Sequence, residues 1–180
     1  MADAMSDQWR DCYDLSWKDA ITPASFAHPA KMSRGLLRRI LDHAFEQNWV
    51  SKGSVICDLF GGIGSTAIEG AYRGLQVVCC ELEPKFVALA LENMALHSRH
   101  WRRLGYPQQV ILQGDSRRLC ELVKEAGCVV GSPPYVERDL GGDGQRNFSG
   151  SKSPQANKAT KGGAGLHGTY GSSTPGQLGA

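Results

Sequence analysis

The chain has 180 residues, one domain's worth and enough to bury a core. Apolar residues make up 41% and charged residues 21%, an ordinary globular balance, and the net charge of +2 is too mild to argue for a nucleic-acid partner by itself. No apolar run approaches the roughly 20 residues of a membrane helix, and the start MADAMSDQWRDCYDLSW lacks a basic-then-apolar leader, so a cytoplasmic protein is expected.

Three zones follow one another. Residues 1–30 read as an N-terminal extension, polar and without a clear period. Residues 31–135 alternate helical and strand patterns. Residues 136–180 hold eleven of the 22 glycines and few large apolar side chains, and read as a loop or disordered tail.

In the middle zone, Ser33 is placed to cap a helix that carries Leu36, Leu37, Ile40, Leu41, Ala44 and Phe45 at helical spacing. Residues 54–59 read as a short apolar strand and 60–65 as a glycine loop, with a helix following to about residue 73. Residues 75–81 read as a second strand. Pro84 opens a helix that runs to about residue 98. Residues 109–113 read as a third strand, 117–126 as a helix, and 127–131 as a fourth strand that ends at Ser132-Pro133-Pro134-Tyr135. Strands alternating with helices predict an α/β fold with a parallel sheet and right-handed crossovers. Ligands in such sheets bind at the carboxyl ends of the strands, and the motifs below all fall there.

The six cysteines form no C-x-x-C pair and no metal-ligand spacing. Cys57, Cys79, Cys80 and Cys128 lie in or beside the strands and read as small hydrophobes of a reducing compartment.

Asp58-Leu59-Phe60-Gly61-Gly62-Ile63-Gly64 follows the first strand. Glycines there allow a tight turn and close approach to a ligand. Gly62, Gly64 and Ala67 also fit the dinucleotide pattern G-x-G-x-x-A, and a tight turn without any ligand would use the same residues. Glu81 ends the second strand, where a carboxylate can accept from both ribose hydroxyls. Asp115 follows the third strand, where it can accept from an adenine amine or cap the next helix. Together, on successive strand ends, the three favour a nucleoside pocket more strongly than any one of them does.

The stretch DLFGGIGSTAIEGAYRGLQVVCCELEP resembles the first two motifs of class I S-adenosylmethionine-dependent methyltransferases, and within them the DNA amino-methyltransferases. The resemblance implies a Rossmann-like fold with strand order 3-2-1-4. It assigns Asp58, Phe60, Gly61, Gly62 and Gly64 to S-adenosylmethionine, Glu81 to its ribose and Asp115 to its adenine. Upstream, His28-Pro29-Ala30-Lys31-Met32 resembles the H-P-A-[KR]-F segment of such enzymes, which puts Lys31 near the cofactor carboxylate.

Ser132-Pro133-Pro134-Tyr135 matches the family's [DNS]-P-P-[YFW] signature. Two prolines stop the strand and leave carbonyls free to accept. An exocyclic base amine can donate to Ser132 Oγ and the Pro133 carbonyl, which holds its nitrogen in line for transfer. Tyr135 offers a face to a base flipped out of double-stranded DNA. Ser at the first position favours cytosine-N4. No cysteine follows a proline, which argues against covalent cytosine-C5 chemistry. The motif order resembles methylases of phage and prophage genomes, so a role in restriction-modification or self-protection is expected.

Alternatives stay open: adenine-N6 methylation, an RNA amino-methyltransferase, a remnant that only binds cofactor, and a nicotinamide dehydrogenase, in which the second motif would have no use. Arg34, Arg38 and Arg39, then Arg99, Arg102 and Arg103, then Arg117 and Arg118 form basic groups that could meet phosphates, although solvated helix faces are the simpler reading. No strand-length apolar run follows Tyr135. A truncated product is therefore expected, with an exposed fourth strand and a second chain supplying the rest of the fold.

Overall fold

A computed structural model describes residues 8–28 and 31–133, all within a compact unit that spans Met1–Pro134. Four helices, α1 (Arg34–Glu46), α2 (Ser65–Ala71), α3 (Pro84–Leu104) and α4 (Leu119–Leu122), alternate with four strands, β1 (Val55–Asp58), β2 (Gln76–Glu81), β3 (Val110–Gln113) and β4 (Cys128–Val129). Short 3-10 turns occupy Pro23–Ala27 and Ser116–Arg118. All strand pairs are parallel, in the order β3-β2-β1-β4 expected from the sequence.

That order decides where the helices go. β1, β2 and β3 step one way across the sheet, so right-handed crossovers put α2 and α3 on one face. The return from β3 to β4 passes two strands and puts α4 on the other. Side chains alternate between faces along each strand. Ile56, Val77 and Cys79 join the larger core with Leu37, Leu41, Ala67 and Ile68 from the helices. Cys57, Val78 and Cys80 face Leu119 and Val123 in a smaller cluster. The buried strand cysteines behave as the small hydrophobes anticipated, and all six thiols are unpaired; Cys120 is exposed.

Several local expectations change. Ser33 stands at the N-cap of α1, but its hydroxyl donates to the Cys12 carbonyl at 2.6 Å and makes no cap bond. The first turn of α1 lies against that same carbonyl, 2.6 Å from where a Cβ on Gly35 would be. α3 continues past residue 98 to Leu104, because Trp101 carries its buried stripe through a polar stretch. Gly105, with φ of +68°, then ends it in the left-handed conformation that favours glycine. The helix expected over 117–126 is only the short turn Ser116–Arg118 and the single turn of α4. Leu119 is its buried anchor, and a segment with so little apolar face gains too little from packing to hold a longer helix. Residues of the N-terminal zone enter the main core: Trp17, Ala20 and Ile21 are buried there.

Candidate active site

The ends of four adjacent parallel strands carry the motif residues, so these residues share one edge of the sheet. Strands sit about 4.8 Å apart, so the four ends span roughly 15 Å. In order along that edge come Asp115 after β3, Glu81 at the end of β2, the glycine loop after β1 and Ser132 after β4.

The loop is built on close approach. Gly61 N–H donates to the Cys80 carbonyl at 2.8 Å, and a Cβ on Gly61 would stand 2.7 Å from that of Cys79. Gly64 has φ of +80° and lies against Ala90 and Met94 of α3. Asp58 is buried and turned onto the loop itself: one oxygen accepts from Phe60 N–H at 3.0 Å, the other from the Thr66 hydroxyl at 2.5 Å. Burial raises its pKa against the pull of those two bonds. Its place in the structure is therefore as the anchor of the turn.

Glu81 reaches across to the same loop. Its Oε2 accepts from Gly62 N–H and its Oε1 from Glu83 N–H, both at 2.8 Å. Burial pushes its pKa up, opposed by the backbone N–H donors of Glu83, Gly62 and Leu82. Asp115 caps the following turn by accepting from Arg117 N–H at 3.0 Å, so the cap anticipated from sequence is present. The Arg117 guanidinium also grips both oxygens, at 2.5 to 2.9 Å, and holds the carboxyl down to about 2.

The upstream segment meets the loop from the other side. The His28 ring lies 3.1 Å from where a Cβ on Gly62 would be and packs edge-on against Phe86, with ring centroids 4.2 Å apart. Burial, with Lys31 and Lys85 nearby, lowers its pKa to about 4, so the ring is neutral. Lys31 Nζ donates to the carbonyls of Phe26, at 2.9 Å, and His28. Burial lowers its pKa.

Of the base motif, Ser132 and Pro133 are described, Ser132 half-buried, while Pro134 and Tyr135 lie outside the described residues. Gly131, just before it, approaches the glycine loop closely: a Cβ there would meet Asp58 Oδ1 at 3.0 Å and the Phe60 ring at 3.7 Å. The fold thus brings Gly131, the residue before the base motif, against Asp58 and Phe60.

Arg34, Arg38, Arg39, Arg117 and Arg118 each have a carboxylate partner. Arg34 and Arg73 clasp the buried Glu69 carboxylate at 2.6 and 3.0 Å, with Arg38 at 3.8 Å, around a surface cleft of about 470 Å³. Arg39 pairs with Glu46, and Arg118 with Glu121. Arg102 and Arg103 lie in the last turn of α3, 21 residues from start to end, and so at the opposite end of the sheet from the motifs. Sequence reading also missed Asn93, which is fully buried beneath the loop. Among the described residues no cluster of three His, Cys, Asp or Glu side chains could hold a metal, and no helix is long and apolar enough to cross a membrane.

A parallel sheet in this order, with a glycine loop after β1 and acids after β2 and β3, is that of a Rossmann-like methyltransferase fold. The chain matches the N6/N4 methyltransferase model described as DNA methylase over residues 3–92, and it belongs to that family. Among solved structures it is similar to TrmN from Thermus thermophilus, with 23% identity, a TM-score of 0.49, and coverage of 62% of this chain and 31% of that one. It is also similar to a protein-L-isoaspartate O-methyltransferase, with 18% identity, a TM-score of 0.44, and coverage of 57% and 30%. A third is precorrin 8w decarboxylase from Methanobacterium thermoautotrophicum, with 18% identity, a TM-score of 0.46, and coverage of 62% and 53%. The chain therefore spans about a third to a half of the length of these structures. No curated protein matches it.

Proposed function

We propose that the chain is an S-adenosylmethionine-dependent amino-methyltransferase that acts on an exocyclic base amine of DNA, with cytosine-N4 the preferred target. The observation that supports it most is the seating of Gly131, one residue before Ser132, against Asp58 and Phe60 of the glycine loop. A base held at Ser132 is then beside whatever the loop holds.

The residues present fit the cofactor. A loop whose Gly62 and Gly64 adopt positive φ leaves backbone room for the methionine part. His28 packs on Gly62, and Lys31, which donates to the His28 carbonyl, offers a cation that suits a carboxylate. Glu81 would take the ribose hydroxyls through lone pairs that Gly62 and Glu83 leave over. Asp115, ionised under Arg117, would take the adenine amine. When bound, S-adenosylmethionine supplies an electrophilic methyl group on a sulfonium.

The chain's own work is positioning. Ser132 Oγ and the Pro133 carbonyl accept from the two N–H groups of the target amine and fix its nitrogen toward the loop. Tyr135 stacks on the flipped base.

Incubating the full chain with methyl-labelled S-adenosylmethionine and double-stranded DNA, then resolving the nucleosides by mass spectrometry, tests this. N4-methylcytosine is expected. N6-methyladenine would move the target to adenine, and label on RNA alone would refute the DNA reading. Cofactor binding without any transfer would leave a binding protein.

A further inference from the structure

Asn93 is a fully buried polar side chain near the middle of α3, and the chemistry above does not use it. Both ends of its amide are occupied. Oδ1 accepts from Thr22 N–H at 2.8 Å and lies 3.2 Å from the Ser25 hydroxyl. Nδ2 donates to the Ile63 carbonyl at 2.9 Å and to Ser25 Oγ at 3.0 Å. Ser25 is itself fully buried, and its hydroxyl also meets that of Thr22 at 2.9 Å.

Ile63 lies between the two positive-φ glycines of the loop. Ser25 lies in the 3-10 turn that delivers His28 onto Gly62, and Thr22 immediately precedes it. A single side chain therefore ties together two segments that meet where His28 packs on Gly62. Neighbouring positions on the same helix, Ala90 and Met94, press on Gly64, so α3 is the common platform.

We propose that Asn93 is a positioning residue for the cofactor pocket, locking the segment from Thr22 to His28 to the glycine loop so that both form one wall. This rests on the cofactor reading given above. A buried amide with a partner removed leaves polar groups unsatisfied, and they drift or take up water. Loosening Asn93 therefore loosens both segments together, whereas a loss of packing elsewhere does not.

The test uses the full chain with three variants: Asn93→Ala, the milder Ser25→Ala, and Leu41→Ala as a core control on α1. Amide hydrogen exchange of the ligand-free protein and calorimetric titration with S-adenosylhomocysteine are measured for each. Asn93→Ala is expected to speed exchange in residues 22–28 and 61–64 together, and to weaken S-adenosylhomocysteine by about tenfold or more. Ser25→Ala is expected to do the same to a smaller degree, and it carries the test if Asn93→Ala does not fold. Leu41→Ala, with a comparable fall in Tm, is expected to leave the affinity within about twofold. Equal affinity loss in Leu41→Ala, or faster exchange in only one of the two segments, overturns the proposal. If the unaltered chain binds no S-adenosylhomocysteine, the cofactor reading falls and the pocket role falls with it. The exchange data then still decide whether Asn93 ties the two segments.

Discussion

Glu81 shows how one carboxylate can serve a loop and a ligand at once. Its two oxygens already accept from Gly62 and Glu83 N–H groups, and each keeps a second lone pair. Glu81→Ala should therefore cost both a ribose contact and the fixing of Gly62. Hydrogen bonds to a charged group are worth about 1.5–3 kcal/mol, so calorimetry should show S-adenosylhomocysteine binding weakened by roughly 10- to 100-fold. His28 gives a second measurable effect. Its pKa falls from 6.5 to about 4 on folding, through burial first and then the charges of Lys31 and Lys85. The unfolded chain thus binds the proton more readily, and stability rises with pH across that interval. The His28 contribution is complete above pH 6.5 and is lost as pH falls toward 4. A pH series of Tm should show this slope, and His28→Gln should remove it while leaving the slope from the acidic residues.

At the scale of elements, the link between α1 and α2 is electrostatic as well as apolar. Glu69, 3% exposed, sits among Arg34, Arg38 and Arg73, and Arg73 also grips Asp42 on α1. Removing a buried member of such a group strands the charges opposite it. Glu69→Ala should cost roughly 3 kcal/mol in urea unfolding, whereas Glu46→Ala, which breaks an exposed pair with Arg39, should leave the unfolding midpoint nearly unchanged. The sequence signalled Arg34 and Arg38 only as part of a basic helix face. Their partner is 35 residues from Arg34, and no local spacing marks it. Strand order and the glycine loop were legible because each depends on short-range rules: apolar runs, crossover handedness and glycine content. The extent of α3 and α4 was less so. It turns on whether a few positions, Trp101 in one and Leu119 in the other, find something to pack against.

The described fold depends on residues 8–28 more than their polar composition suggests. Trp17 is buried in the main core, donates its indole N–H to the Met32 carbonyl at 2.9 Å, and has the Arg34 guanidinium over its ring at 5.5 Å. Ala20 and Ile21 follow it inward, and the Ala20 carbonyl accepts or meets His97 Nε2 at 2.8 Å from α3. Local reading could not find this, because an irregular segment has no period to betray its buried side. Its contacts are instead with residues up to 77 positions away. The consequence reaches the site, since the same segment runs on through Ser25 to His28 and Lys31. A detachable extension and an integral strap behave differently on truncation of one side chain. If the segment were detachable, Trp17→Ala would change stability by less than about 0.5 kcal/mol. As an integral part of the core it should cost roughly 3–5 kcal/mol, as for other buried tryptophans. Denaturant unfolding should remain one cooperative transition whose midpoint moves while its slope does not. A second, earlier transition confined to the strap would show instead that the N-terminal segment folds onto a finished sheet.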